Sequence, residues 1–229
     1  MIPNVAPLGD QAMLVSYPAT ISFNTHQLVL GLQSGIERRQ IEGITFLQPA
    51  YCSLTIGFDP TLVRYPQLKQ VVRELCHEKV DPKAVEGRLI SIPVCYEEPY
   101  ALDLKEISDQ TGLKKKDIID LHTSNHYQVF MLGFLPGFPY LGVLPEILHL
   151  PRKKTPRLKI PERAVGIAGL QTGIYPASSP GGWNILGSTP LAVFDASSED
   201  PFLLRAGDQV KFKAISIEEY QRIRDEKLL

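Results

Sequence analysis

The chain is poor in the features that commit a sequence to a class. Its 24 Lys and Arg balance 25 Asp and Glu to a formal net charge of -1. No broad electrostatic field therefore points to nucleic acid or to an anionic membrane as a partner. No apolar run approaches the length of a membrane span. The first ten residues lack a basic patch and carry Pro3, Pro7 and Asp10, which excludes a secretory signal there. Cysteine is scarce: Cys52, Cys76 and Cys95 are odd in number and without CxxC spacing, which points to free thiols in a reducing cytoplasm. No Asn-x-Ser/Thr sequon occurs. The phosphate loop GxxxxGK[ST], the dinucleotide fingerprint GxGxxG, the zinc motif HExxH and the nucleophile elbow GxSxG are all absent, so no nucleophile, base or metal set can be read directly. His122 and His126 have the i, i+4 spacing of a metal pair. No third ligand is evident, so a capping or hydrogen-bonded histidine is the expectation there.

What is present is an ordinary globular composition, 44% apolar and 21% charged over 229 residues, enough for one large domain or two small ones. The first 85 residues alternate strand and helix signals. Ala12–Tyr17, Ile44–Leu47 and Ser53–Phe58 read as strands. Ser22 caps a helix to about Arg39, with Leu28, Leu32 and Ile36 on one face, and Tyr65–Lys79 reads as a second helix. The order βαββα predicts a small ferredoxin-like α+β unit, completed by a later strand. Asp81-Pro82 and Gly87 mark a linker, giving domains 1–85 and 86–229. The second opens with a strand at Leu89–Val94 and short helices at Asp103–Thr111 and Lys115–Leu121. Brief strand runs then alternate with dense Gly and Pro, at Gln128–Leu132, Val165–Ala168, Thr172–Tyr175, Leu191–Phe194 and Gln209–Lys213. That texture predicts a β-barrel or sandwich with long shaped loops.

Three segments of the second domain stand out. Gly133–Gly142 (GFLPGFPYLG) combines glycine freedom, proline stiffness and three aromatics, among them Phe134 and Tyr140; it can wall a small ring-shaped ligand or simply fill a barrel corner. Pro151–Pro161 repeats a Pro-Arg pair at Arg152 and Arg157, whose planar forks match carboxylate or phosphate, although a charge run is equally a solvated loop. Gly166–Gly187 carries Gln171 and Thr172, able to donate and accept hydrogen bonds, and the single Trp183 after two glycines, a pocket wall or a core anchor.

These segments, in order and spacing, carry a family resemblance. GFLPGFPYLG, then PRxxxPRxxxP, then VGIAGLQTGIYPASSPGGW are similar to the family that comprises the B subunits of bacterial ATP-dependent 5-oxoprolinase, Kip-type histidine-kinase inhibitors and allophanate hydrolase subunit 1. Pro7-Leu8-Gly9-Asp10, Pro49-Ala50-Tyr51, Ile92–Tyr96 and Leu204–Asp208 extend the match over nearly the whole chain. Two positions depart from the pattern. Glu97-Glu98-Pro99-Tyr100 replaces a Gly-rich stretch, and Ser188 stands where the family usually has Arg or Lys.

The resemblance implies a small α+β domain followed by a cyclophilin-like β-barrel. It implies a cytoplasmic component of a three-part enzyme, whose other parts are a homologous β-barrel subunit and a larger lactam-utilisation subunit. Together they cleave 5-oxo-L-proline to L-glutamate with ATP as co-substrate. On its motifs, Arg152 or Arg157 would hold the substrate carboxylate or a phosphate. Gln171 and Thr172 would bond the ring amide, Phe134, Tyr140 and Trp183 would wall the ring, and His122 would be a candidate acid or base. The alternative that the family offers is a non-catalytic protein binding a histidine kinase and blocking its autophosphorylation. Prolyl isomerisation, suggested only by the barrel, ranks last because the Gly-Pro loops do not resemble a cyclophilin site.

Overall fold

The computed structural model describes residues 2–19, 21–78 and 86–226. The chain divides into two compact units, Met1–Gly87 and Arg88–Leu229. The expected linker residues Asp81-Pro82 lie outside the described residues.

The first unit runs β1 (Asn4–Pro7), β2 (Ala12–Ser16), α1 (Phe23–Arg39), β3 (Ile44–Pro49), β4 (Ser53–Phe58) and α2 (Tyr65–Leu75). Ser22 caps α1 by accepting a hydrogen bond from the Thr25 amide at 3.1 Å, and Arg38 and Arg39 face the negative end of the helix dipole. The sheet order β1-β2-β4-β3 places β4 antiparallel between β2 and β3, the split arrangement of a ferredoxin-like unit. The fourth strand differs from expectation. It is β1, an earlier strand that pairs antiparallel with β2 through a short turn, rather than a later one. Alternation puts Met13, Val15, Leu54 and Ile56 on the face that packs against Val29, Leu32 and Ile36 of α1 and Leu68 and Val72 of α2. Gly35 lets the helices approach: a Cβ there would stand 3.0 Å from Leu75. The helix α2 ends at Leu75, short of Lys79, which lies outside the described residues.

The second unit is a closed seven-stranded barrel with two short helices inserted early and one at the end. Its strands are β5 (Leu89–Cys95), β6 (His126–Leu132), β7 (Pro139–Gly142), β9 (Ala164–Ala168), β10 (Gln171–Ile174), β12 (Asn184–Ser188) and β13 (Gln209–Ile215), neighbours in the order β10-β7-β6-β13-β5-β12-β9. Closure by β9 and β10 removes the open edges that an all-β sheet otherwise exposes. Only β13 and β5 run parallel; the other barrel pairs are antiparallel. The lumen is filled by Ile92, Val94, Val129, Leu141, Val165, Ile167, Leu186, Val210 and Phe212. The strands β8 (Arg157–Ile160) and β11 (Ser179–Gly181) form a separate two-stranded sheet, so the latter part of the basic segment is strand. The helices α3 (Leu104–Thr111) and α4 (Lys115–Ser124) stand where the sequence placed them.

Two expectations about this unit are corrected. Leu191–Phe194 is not a strand: its only ladder contact is an isolated bridge between Phe194 and Phe202, because Pro190 and the neighbouring bends break the run. An additional helix, α5 (Ile217–Glu226), follows β13, with the amide of Glu219 donating to the Ser216 hydroxyl at 3.3 Å and acidic residues in its first turn.

Candidate functional site

The three loop segments meet. Phe134, Phe138 and Tyr140 from the first, Arg152, Lys153 and Pro156 from the second, and Pro180–Trp183 from the third, with Tyr175, line one pocket of about 350 Å³. This is the size of a small-molecule site. Its wall is an aromatic cluster centred on Phe138. Trp183 and Tyr175 meet the Phe138 ring edge-to-face at 5.3 Å and 5.1 Å, and Tyr140 meets both Phe138 (5.0 Å) and Trp183 (6.0 Å). These perpendicular contacts suit the ring quadrupoles and fix the wall. Gly173 makes the cluster possible, since a Cβ there would stand 2.9 Å from Phe138, 2.9 Å from the Pro139 carbonyl and 3.0 Å from Trp183. Phe134 is 62% exposed at the rim and adopts φ 68, a left-handed backbone that costs a non-glycine residue about 1–3 kcal/mol and gathers at ligand sites. Burial pushes the Tyr175 phenol up to about 12, and burial likewise raises Tyr140 against the pull of the Arg152 charge. Both phenols are therefore protonated at neutral pH.

The cations of the second loop do not share one role. Arg157 binds the Asp103 carboxylate through both guanidinium arms, at 2.8 and 2.6 Å. Lys153 binds Asp103 at 2.8 Å and Glu106 at 2.6 Å. Asp103 is itself 1% exposed and also accepts the Ile185 amide at 2.7 Å. Burial raises its pKa, but the Arg157, Ile185 and Lys153 contacts outweigh burial and hold it below the ordinary aspartate value. Asp103 thus ties the loop, the start of α3 and β12 together. Arg152, in contrast, lines the pocket, is exposed, and has no carboxylate partner among the described residues.

The sequence-predicted residues accordingly separate. Phe134, Tyr140, Arg152 and Trp183 are brought together on the pocket. Arg157 lies beside it as the partner of Asp103, which satisfies the guanidinium fork internally. Gln171 is half-buried on β10, opposite Ala168 and Gly142, and does not line the pocket. Thr172 is fully buried and donates to the Gly166 carbonyl at 3.1 Å. Its oxygen then accepts from Nε2 of His122 at 3.0 Å, while Nδ1 accepts the Tyr96 hydroxyl at 2.7 Å. With Thr172 already donating, this chain specifies the neutral Nε2-protonated imidazole. His122 is stacked on Phe212 at 4.5 Å and fully buried, and burial drives its pKa down to about 3. It is the hydrogen-bonded interior histidine that its local sequence suggested, and it does not line the pocket where the family resemblance would place an acid or base. Ser188 is buried on β12, donating to the Arg163 carbonyl at 3.2 Å and bonded to the Tyr220 hydroxyl at 3.1 Å.

Sequence reasoning missed Asp103 and Lys153. Asp103 read as a helix start, and it does precede α3, yet its carboxylate makes no capping bond. The only sequence signal was an acidic residue with no local partner in a chain carrying two Pro-Arg pairs some fifty residues on. Among the described residues no group of three or more His, Cys, Asp or Glu could hold a metal ion, and no helix is long and apolar enough to cross a membrane.

The family described as "Carboxyltransferase domain, subdomain C and D" matches residues 3–204. The chain belongs to this family. It is 40% identical over 232 residues to the 5-oxoprolinase B subunit of Bacillus subtilis (strain 168), covering 97% of each chain. It is 38% identical to the 5-oxoprolinase B subunit of Haemophilus influenzae, covering 94% of this chain and 99% of that one. Among solved structures, the crystal structure of TTHA0988 superposes with a TM-score of 0.80 at 36% identity, over 90% of this chain. The present chain spans 40% of that longer protein. A carboxyltransferase-type subdomain pair therefore occurs both as a chain of this length and as part of a larger polypeptide.

Proposed function

We propose that this chain is the B subunit of an ATP-dependent 5-oxoprolinase, which opens 5-oxo-L-proline to L-glutamate. The observation that carries the reading is the likeness to the 5-oxoprolinase B subunit of Bacillus subtilis along 97% of both chains. The pocket supports it chemically. The substrate is a small five-membered lactam bearing one carboxylate, and the pocket offers flat apolar walls with one uncompensated guanidinium.

Opening an unstrained lactam is slow because the amide is resonance-stabilised. In the proposed reaction the γ-phosphoryl group of ATP passes to the lactam oxygen, giving ADP and an activated ring carbon. A first water adds at that carbon, the C–N bond breaks, and the ring nitrogen takes a proton to become the amine of an acyl phosphate; a second water then cleaves the acyl phosphate to glutamate and phosphate. The contribution of this chain is positioning and charge neutralisation. Arg152 holds the carboxylate, and Phe134, Tyr140 and Trp183 wall the ring. The Tyr140 and Tyr175 phenols stay protonated, so they set no negative charge against the substrate carboxylate. His122 stays outside the reaction because it is buried and neutral.

A homologous β-barrel subunit and a larger lactam-utilisation subunit complete the enzyme in this reading. The isolated chain is inactive, and the complex works in the cytoplasm. The test is glutamate release from 5-oxoproline and ATP, with this chain alone and then mixed with both partners. Turnover only in the full mixture supports the reading. Absence of turnover in a mixture whose two partners work with the Bacillus counterpart of this chain overturns it.

A further inference from the structure

A second cavity, of about 230 Å³, lies elsewhere on the barrel unit and shares no lining residue with the first. Its walls come from four elements distant in sequence. Tyr100 follows β5, Glu162 and Arg163 form the turn between β8 and β9, Ser188 belongs to β12, and Tyr220 and Arg224 lie one helical turn apart on α5. We infer that this cavity is a binding site for a small organic anion, a carboxylate or a phosphate ester, held by Arg163 and Arg224.

Charge is the first argument. The lining carries two arginines against the single carboxylate of Glu162. Glu162 stands 3.8 Å from the Arg163 Nε, beyond hydrogen-bond length, and is itself half exposed. Arg163 uses one N–H on the Pro190 carbonyl at 3.2 Å, which leaves most of its five donors for a ligand. Arg224 has no ion-pair partner among the described residues.

Backbone geometry is the second argument. Arg163 has φ 66, a conformation suited to glycine and costly for a long side chain. It is held there from both sides. Its amide donates to the Tyr175 carbonyl at 2.6 Å, and its carbonyl accepts the Thr189 amide at 3.0 Å and the Ser188 hydroxyl at 3.2 Å. Glycine would satisfy the same backbone bonds without strain, so the guanidinium is what this position gains. A flat surface completes the site: the Tyr100 and Tyr220 rings lie 4.3 Å apart at 34°, and the Tyr220 hydroxyl is fixed by Ser188 at 3.1 Å. The rings offer apolar cover to the body of the ligand while the arginines meet its charge.

The experiment is calorimetric titration of the full chain with inorganic phosphate and, separately, with succinate. It is then repeated on Arg163→Gly, Arg224→Ala and, as a control in the other pocket, Arg152→Ala. Arg163→Gly relaxes the strained backbone and Arg224→Ala lies on an exposed helix face, so both variants are expected to fold; a thermal melt of each checks this. Saturable binding of at least one probe is expected, weakened about tenfold or more in each of the two variants, the scale of one lost charge-assisted hydrogen bond; Arg152→Ala, which removes the cation of the first pocket, leaves this Arg163- and Arg224-dependent binding step in place. Binding of phosphate alone identifies a phosphate-bearing ligand, and binding of succinate alone a carboxylate. The inference is overturned if neither probe binds saturably, if both variants bind as the parent does, or if only Arg152→Ala loses binding.

Discussion

Buried His122 makes a quantitative prediction about acid stability. Its ordinary pKa is 6.5, and burial lowers it to about 3 in the folded barrel. Between those values the unfolded chain binds a proton that the folded chain refuses. The depressed folded pKa therefore contributes stability that is fully present above pH 6.5 and is lost as pH falls towards the folded value. The loss is about 1.4 kcal/mol per pH unit, or about 2 kcal/mol between pH 6.5 and pH 5. Tyr96, Tyr127, Thr172 and Phe212 surround the imidazole, and none supplies an anion to offset protonation. Trp183 is the only tryptophan and belongs to the barrel unit, so its fluorescence reports that unit alone. Urea melts followed at Trp183 from pH 7.5 to pH 5, for the parent and for His122→Gln, isolate the effect. Gln loses the ring stack and lowers stability at every pH, but its pH slope lacks the histidine contribution, while all other titrating groups cancel in the difference. Equal slopes in the two proteins would show that His122 is not held neutral, and the assignment of the imidazole as an uncharged barrel pin would fail.

Three further outcomes are expected. Arg157→Ala leaves buried Asp103 with Lys153 as its only cation and lowers barrel stability by about 2–4 kcal/mol in the same urea assay, with Arg157→Lys recovering part of it by restoring one of the two bonds. Arg152→Ala changes stability by no more than about 0.5 kcal/mol, because the side chain is exposed and has no carboxylate partner among the described residues, but lowers kcat/KM of the reconstituted complex about 10- to 100-fold. Gly173→Ala drives a Cβ against Phe138, Trp183 and the immovable Pro139 carbonyl, costs about 1–3 kcal/mol, and shifts the Trp183 emission as the aromatic wall is displaced.

What the sequence made legible was what short-range chemistry determines. Ser22 as a cap, the apolar face of α1, the turn-bounded strand Ser53–Phe58 and the strand expected at Gln209–Lys213, which the structure extends to Ile215, follow from periodicity and local hydrogen bonding. Edge and irregular strands did not. β1 is only four residues long and ends in proline, and β12 is interrupted by a bulge between Ile185 and Gly187, so neither carries a clean alternating pattern. In the site, the aromatic and glycine-rich loops announced themselves by composition, and their convergence on one pocket followed from strand order, which no local pattern encodes. His122 was read two ways for a related reason, as a hydrogen-bonded histidine from its local sequence and as an acid or base from the resemblance. A histidine near a helix end has the same local sequence whether it faces solvent or the barrel interior, and only the long-range contact with Thr172, fifty residues away, separates the two.

The same distinction governs the basic loop. Arg152 and Arg157 both follow a proline and are chemically equivalent in the sequence, yet a single buried carboxylate, Asp103, separates their roles. By drawing Arg157 and Lys153 onto itself, Asp103 fixes the loop against α3 and β12 and removes two positive charges from competition for an anion. Arg152 is left as the only lining cation of the pocket without a carboxylate among the described residues. In the proposed reading, this structural ion pair serves recognition indirectly. Rigid neighbours lower the entropy cost of presenting one guanidinium beside the aromatic wall, and their neutralised charge lets a ligand with one carboxylate match the pocket without surplus repulsion or attraction. On this argument Asp103→Asn weakens substrate binding although Asp103 does not line the pocket: it loosens the loop and leaves Arg157 as a competing cation, while Lys153 keeps Glu106. The signature is a raised KM for 5-oxoproline that Arg152 alone cannot repair.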